Sequence, residues 1–343
     1  MKAIYLVKKG PAAKAFEIRE TDIPSPSDME VLIKVQAFGL NFADVLARLG
    51  LYPDAPKMPA ILGYDVVGQI ESLGKDVKDL KVGDRVTAMT RFGGYAEYAI
   101  TDYRGVAKIP EDMDSCTAAS LTTQGGTAYY MAEEMVNIYP GDRVLVHAAA
   151  GGVGSLLCQM CKHKGAFVYG TAGSKDKLSY LESIGVDKPI GYRESDFYSA
   201  ISSFEKDSGS PGLDIVFDPI GGSSFKKGSK LLSSGGRMVL FGAAALTGAR
   251  NIWQKLQVAK GFGLKSPISL LSSSKSVIGV NMLRIADNRP EVLNRVLKGT
   301  VKMATEKTIQ PLNGGVYNYK DLDKAHSDLE QRKTMGKLIV EWN

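Results

Sequence analysis

The sequence predicts an α/β protein of two domains, one a doubly wound parallel sheet and the other mostly β. Three observations lead there: period-two apolar alternation in residues 1–123, a change after it to short apolar runs alternating with helix-length amphipathic segments, and a small-residue turn from strand into helix near the start of the second pattern. The length of 343 residues suits about two domains.

Within residues 1–123, Val31-Leu32-Ile33-Lys34-Val35-Gln36-Ala37 sets Val31, Ile33, Val35 and Ala37 on one face of a strand. Residues 65–70, 85–89 and 95–100 are further predicted strands, separated by Gly74-Lys75, Val82-Gly83-Asp84 and Phe92-Gly93-Gly94. Residues 124–289 carry the alternating βα pattern, with strands expected at 143–147, 166–169, 213–217, 237–241 and 277–280. Residues 290–343 end in an apolar run at 337–340 and are expected to return to the first domain, so that 1–123 and 290–343 together flank the parallel sheet.

Composition narrows the function. Hydrophobic residues make up 44% and charged residues 23%, as in ordinary globular proteins. No stretch reaches the roughly 18 apolar residues of a membrane span, and the apolar run after Met1 meets Lys8-Lys9 too early for a signal peptide, so a cytoplasmic protein is expected. Three cysteines argue against a disulfide scaffold. The net charge is +6, but five of the cations, Arg250, Lys255, Lys260, Lys265 and Lys275, sit in the acid-free segment 244–275. The rest of the chain is nearly neutral, which disfavours nucleic-acid binding.

The strongest motif is Val144-Leu145-Val146-His147-Ala148-Ala149-Ala150-Gly151-Gly152-Val153-Gly154, a buried strand feeding a tight turn and then a helix. Against G-x-G-x-x-G it reads Ala149, Gly151, Gly154, with alanine at the first position. Gly151 would let a pyrophosphate approach the backbone, Gly154 would let helix and sheet pack closely, and the helix N-terminus offers free N–H groups to phosphate. This is a Rossmann dinucleotide signature; the plain alternative is a ligand-free strand-to-helix turn. The expected loop contacts are Ala150, Gly151, Gly152, Val153 and Gly154. An NAD site carries an acid about 20 residues on, for the ribose 2′-hydroxyl. Here the region reads Tyr169-Gly170-Thr171-Ala172-Gly173-Ser174-Lys175-Asp176-Lys177, with no acid at the strand end and a hydroxyl and two cations following. That suits a 2′-phosphate, hence NADPH; the alternative is a solvated helix start. Asp218-Pro219-Ile220-Gly221-Gly222 and Phe241-Gly242-Ala243 are further glycine-bearing strand ends, where ligands of such sheets lie.

Cys158-Gln159-Met160-Cys161 lies inside the helix after the motif, beyond its first turn, where thiolate stabilisation fades, and a structural role is expected for it. With Cys116 as the remaining thiol and His147, His163 and His326 scattered, no metal site is expected. No Ser/His/Asp ordering supports a hydrolase.

Across nearly the whole chain these residues resemble the medium-chain dehydrogenase/reductase superfamily, in its zinc-independent quinone oxidoreductase branch. The resemblance rests on Gly39-Leu40-Asn41-Phe42-Ala43-Asp44, Gly50-Leu51-Tyr52-Pro53, Leu62-Gly63-Tyr64-Asp65, Val82-Gly83-Asp84-Arg85-Val86, the 148–154 loop and Met335-Gly336-Lys337-Leu338. It implies a GroES-like fold for the β-rich domain. Zinc members carry Cys near the Asn41 position and Gly-His-Glu at Gly63-Tyr64-Asp65, so the resemblance is to members without the catalytic metal. It further implies Asn41, Tyr52 and Tyr64 around substrate and nicotinamide, with Thr127 beside the nicotinamide. Ser174, Lys177 and Tyr192 would lie at the 2′-phosphate, and Phe241, Val280, Asn281 and Lys337 along the far wall of the cofactor cleft; Thr171 and Gly242 are further expected cofactor contacts.

Within that branch the chain is similar to the vesicle amine transport protein (synaptic vesicle membrane protein) group, through the segment after Phe241-Gly242 with Asn251-Ile252-Trp253-Gln254-Lys255. Two readings of 244–275 stay open: a flap over the cofactor, or a peripheral contact with anionic lipid. The implied chemistry is hydride transfer from NADPH to a quinone or to an activated alkene such as an enal or enone. The alkene needs a proton at carbon, for which Tyr52 is the candidate donor by likeness to enoyl reductases. The alternative is a lipid-associated protein that binds NADPH with little turnover. A homodimer through the edge strand near residues 277–280 is expected.

Overall fold

The computed structural model describes residues 1–245, 252–263 and 266–342. The chain divides into unit 1, residues 1–127 with 282–343, and unit 2, residues 128–281.

The N-terminal part of unit 1 contains β1 (Lys2–Leu6), β2 (Phe16–Glu20), β3 (Glu30–Leu40), α1 (Phe42–Leu49), β4 (Ala60–Ile61), β5 (Asp65–Leu73), β6 (Arg85–Met89), β7 (Tyr98–Asp102), β8 (Val106–Lys108), α2 (Ser115–Ser120) and the start of α3 (Gly126–Tyr129). β3 pairs antiparallel with β5, with register irregularities at Leu32/Ile33 and Val35/Ala37. Such irregularities re-aim a strand; beyond the second one, Ala37, Phe38, Gly39 and Leu40 are all buried. The end of β3 therefore delivers Asn41 into the interior. There α1 begins with the Asp44 carboxylate accepting from the Asn41 backbone N–H at 2.8 Å, and it ends at Gly50 in the left-handed conformation, φ 73°.

Unit 2 runs β9 (Arg143–Val146), α4 (Gly152–His163), β10 (Phe167–Ala172), α5 (Lys175–Ser183), β11 (Lys188–Gly191), α6 (Phe197–Asp207), β12 (Leu213–Asp218), α7 (Ser223–Leu231), β13 (Leu232–Leu240), α8 (Ile252–Phe262), α9 (Pro267–Ser273) and β14 (Ser276–Gly279). The sheet order is β11-β10-β9-β12-β13-β14, all pairs parallel. Numbered within the unit this is 3-2-1-4-5-6, the doubly wound Rossmann order, with its switch point beside β9. Strands covered on both faces must be apolar throughout, and Val144, Leu145, Val146, Ile215, Val216 and Phe217 are fully buried.

The chain then re-enters unit 1 with α10 (Met282–Asn288), α11 (Pro290–Thr305), β15 (Asn313–Asn318), α12 (Leu322–Glu330) and β16 (Lys337–Glu341). The seven-stranded sheet has the order β15-β16-β3-β5-β6-β8, with β7 on β3. Ile33, Val35, Phe38, Leu40, Val66, Ile70, Leu338 and Val340 form its core. The unit boundaries fall at 127/128 and 281/282, against 123/124 and 289/290 expected from sequence. The second moves because α10 belongs with unit 1: Met282 and Leu283 are buried, Arg284 pairs with Asp54 at 2.5 Å, and Asp287 pairs with Arg91 at 2.8 Å.

Candidate functional site

In unit 2 the motif loop connects β9 to α4. Ala148 sits at φ 52°, a left-handed conformation unusual for alanine. A Cβ on Gly154 would lie 2.4 Å from the Ala148 carbonyl oxygen and 2.8 Å from Ala149 Cα, so glycine is what lets α4 lie on the loop. Gly151 caps α4 without a side-chain bond, and the first turn holds no acid, leaving its N–H groups and positive dipole end for an anion. Ala150 is buried, while Gly151, Gly152 and Val153 are half-buried.

At the neighbouring strand end, the Tyr192 backbone N–H donates to Ala172 at 3.1 Å, and the Tyr192 hydroxyl lies where a Cβ on Gly173 would meet it at 2.4 Å. Tyr192 is exposed, as is Ser174, which heads α5 without a side-chain cap bond, and Lys177 follows one turn later, half-buried. Gly173, Ser174, Lys177 and Tyr192 thus gather around one strand end. Thr171 behaves differently: it is buried, its hydroxyl 3.1 Å from His147 Nδ1 and 3.3 Å from the Ala148 backbone N–H that donates to it. It fastens the loop from beneath. His147 is likewise interior, edge-on to Phe197 at 4.6 Å, and burial pushes its pKa down despite Asp218 nearby. Phe241 and Gly242 follow β13, where the Phe241 N–H donates to Asp218 at 3.2 Å; Val280 donates to Leu240 at 2.8 Å, and Asn281 is exposed.

In unit 1 the sequence-selected residues Asn41, Tyr52, Tyr64, Thr127 and Lys337 fall into two linked groups. One is a buried polar cluster around Asp65, which sequence reading passed over. Its Oδ2 accepts from Asn41 Nδ2 at 2.7 Å and from Lys337 Nζ. Its Oδ1 accepts from Thr122 Oγ1 at 2.6 Å, from the Thr123 N–H at 3.0 Å, and from Thr123 Oγ1. Lys337 Nζ also donates to Asn41 Oδ1 at 3.0 Å, and both Asp65 and Lys337 are shut away from solvent. Both ends of the Asn41 amide are therefore engaged inside the cluster, and so is the ammonium expected along the cofactor wall. Thr127 joins it at one remove, its hydroxyl donating to the Thr123 carbonyl at 2.5 Å across a π-helical turn, Leu121–Gly125.

The other group is aromatic. Tyr64 is buried, edge-on to Tyr52 at 6.4 Å and tilted against Phe92 at 4.9 Å. Its hydroxyl has no hydrogen-bond partner among the described residues. Burial and then the Asp44 carboxylate push its pKa up, and burial likewise raises Tyr52, so both hydroxyls hold their protons at neutral pH. Asp44 is the second residue that sequence reading missed. It is fully buried, its Oδ1 lacks a partner among the described residues, and burial with Asp65 nearby pushes its pKa up to about 7, against the pull of the Asn41 N–H and Lys337. The signal was present in Asn41-Phe42-Ala43-Asp44 as a capping box, but burial of that box is not readable from spacing.

Of the basic segment 244–275, Arg250 and Lys265 lie outside the described residues. Trp253, Leu256, Ile268 and Leu271 are exposed, and Phe262 packs on Gly221 and on the Phe225 ring at 5.8 Å.

Two family models match: residues 27–111 fit an alcohol dehydrogenase GroES-like domain, and residues 152–298 a zinc-binding dehydrogenase. The chain is 33% identical over 327 residues to the synaptic vesicle membrane protein VAT-1 homolog of Rattus norvegicus, covering 92% of this chain and 78% of that protein. The chain belongs to the medium-chain dehydrogenase/reductase superfamily. The VAT-1 homolog of Danio rerio is 32% identical over 320 residues, and this chain spans 65% of its length. Among solved structures of the superfamily, Escherichia coli quinone oxidoreductase complexed with NADPH aligns at TM-score 0.84 and 27% identity over 99% of this chain and 100% of that one. CurK enoyl reductase aligns at TM-score 0.83 and 26% identity over 99% and 98%.

The residues do not fit the zinc named in the superfamily's dehydrogenase model. Asp65 is saturated by five donors and Asn41 offers an engaged amide. Among the described residues no group of three or more His, Cys, Asp or Glu side chains is arranged to hold a metal. All three cysteines are buried, and burial pushes Cys116 up to about 11 and Cys161 up to about 12, away from ligating thiolate. No helix among the described residues is long and apolar enough to cross a membrane.

Proposed function

We propose that this oxidoreductase is NADPH-dependent and reduces quinones or activated alkenes by hydride transfer without zinc. The observation that supports it most is the acid-free end of β10, where Ser174, Lys177 and Tyr192 gather beside a helix N-terminus lacking its own cap. An NADH site would have a carboxylate there. Calorimetry with the two dinucleotides tests it: NADPH is expected to bind at least tenfold tighter, and equal affinities overturn the reading.

Bound NADPH supplies the hydride. The N–H groups of the 150–154 loop would hold its pyrophosphate, and Ser174, Lys177 and Tyr192 would hold its 2′-phosphate. The acceptor would meet Tyr52 and Tyr64, whose rings would exclude water, and the protonated Tyr64 hydroxyl would stabilise charge developing on its oxygen. A quinone becomes a stable anion that takes protons from water; an enone needs one delivered at carbon, and Tyr52, the less buried of the two, delivers it. A second copy would join along β14, the edge strand of unit 2, making a homodimer. The exposed Trp253, Leu256, Ile268 and Leu271 favour one second reading, a lipid-associated protein with slow turnover. NADPH binding without oxidation by any quinone or enone, together with sedimentation on phosphatidylserine vesicles, would select it.

A further inference from the structure

Asp65 is fully buried, and it accepts hydrogen bonds from five donors. Its five donors come from three separate stretches: the β3–α1 junction at Asn41, the turn at Thr122 and Thr123, and β16 through Lys337. A buried carboxylate facing only one buried ammonium would be a poor stability device, because desolvating both ions offsets their attraction. What this pair supplies is direction. Asp65 Oδ2 and Lys337 Nζ hold opposite ends of the Asn41 amide, which fixes its rotamer. Asp65 Oδ1 takes both the hydroxyl and the N–H of Thr123, so the peptide that follows is oriented, and its carbonyl in turn receives the Thr127 hydroxyl. The close approach is sterically reserved as well: a Cβ on Gly39 would meet Lys337 Cε at 2.3 Å and Asp65 Cβ at 3.3 Å.

We infer that the Asp65–Lys337 pair is a positioning device for the reductase, setting the orientation of Asn41 and of the Thr123–Thr127 turn so that acceptor and hydride donor meet productively. The inference rests on the proposed reductase activity. Neither residue exchanges a proton or touches substrate. The pair acts through Thr127 and Asn41, so its loss lowers kcat.

Lys337→Met alone strands the Asp65 charge and is expected to unfold the protein readily. The informative variant is the neutral double substitution Asp65→Asn with Lys337→Met, which removes both charges together and keeps a hydrogen-bonding amide at position 65. Expected are a melting temperature near that of the wild type and a kcat at least tenfold lower with quinone and enone alike. A wild-type kcat in a stably folded double variant overturns the inference. A second readout does not need turnover. The ¹³C methyl resonance of Thr127, assigned through Thr127→Val, is expected to shift or broaden in the double variant, and an unchanged resonance overturns the inference even if the wild type reduces nothing. Absence of wild-type turnover with every acceptor would instead refute the proposed function, leaving the methyl measurement to decide the positioning role.

Discussion

Gly154→Ala tests the packing on which the nucleotide loop depends. The added Cβ would sit 2.4 Å from the Ala148 carbonyl oxygen, 2.8 Å from Ala149 Cα and 3.0 Å from the Ala148 carbonyl carbon, all of them backbone atoms. Ordinary contact begins near 3.5 Å, so α4 must retreat by about 1 Å from the β9 loop. Overpacking of this kind costs about 1–3 kcal/mol, while alanine's better helix propensity returns about 1 kcal/mol. The net loss is up to about 2 kcal/mol, at roughly 2–4 °C of melting temperature for each kcal/mol. The retreat also carries the helix N–H groups away from the phosphates, and loss of one charge-assisted hydrogen bond at about 1.5 kcal/mol raises the NADPH Kd roughly tenfold. Gly228→Ala in α7 is the internal control. Its Cβ would meet the methyl ends of Met238 at 3.0 Å and Val216 at 3.2 Å, which can move aside. Thermal denaturation and calorimetry of both variants read the difference. If Gly154→Ala melts and binds like the wild type, or if the two variants lose equal stability, the steric argument is wrong.

Tyr52→Phe is expected to spare quinone turnover and to slow enone reduction about 10²–10⁴-fold, the usual contribution of a positioned proton donor; equal losses with both acceptors would remove Tyr52 from that role. Lys177→Gln should raise the NADPH Kd roughly 10-fold or more and leave that for NADH unchanged, since only the phosphorylated ribose needs the cation; calorimetry decides it. Asp44 gives a pH signature. Its folded pKa of about 7 lies above the 3.8 of an ordinary aspartate, so the native state binds the extra proton and stability falls as pH rises between those values. Asp44→Asn mimics the protonated form, so its melting temperature should gain on that of the wild type progressively as pH rises from 3.8 to about 7; a pH-independent offset would contradict the assignment.

The parallel sheet was legible because its strands are continuous apolar runs; 213–217 and 143–147 fall within a residue of β12 and β9. β11 was not, since Lys188-Pro189-Ile190-Gly191 holds a proline and a single buried residue, and neighbouring β10 rather than its own pattern makes it a strand. β2 and β15 were missed for a related reason: Phe16–Glu20 buries no residue fully, and Asn313–Asn318 carries two glycines. At the site, the close packing at Gly154 was legible in the motif, because it is local geometry. The Asp65 cluster joins residues 24, 57 and 272 positions away in sequence, a partnership that local pattern does not encode. Lys337 was picked out by resemblance, but as a wall residue; its burial against Asp65 emerges only when β16 pairs with β3.

That strand order has a bearing on biogenesis. β16 is inserted between the edge strand β15 and β3, so an interior position of the unit 1 sheet is filled by a segment translated after all of unit 2. A ribosome releases all of unit 2 beforehand, and every strand pair of that sheet lies within residues 143–279. Nascent unit 2 can thus fold as a finished insert while unit 1 still waits with an open seam and an acid lacking its counter-ion. Closure of the seam and arrival of the ammonium are then the same event, since the strand that pairs with β3 also carries Lys337 to Asp65.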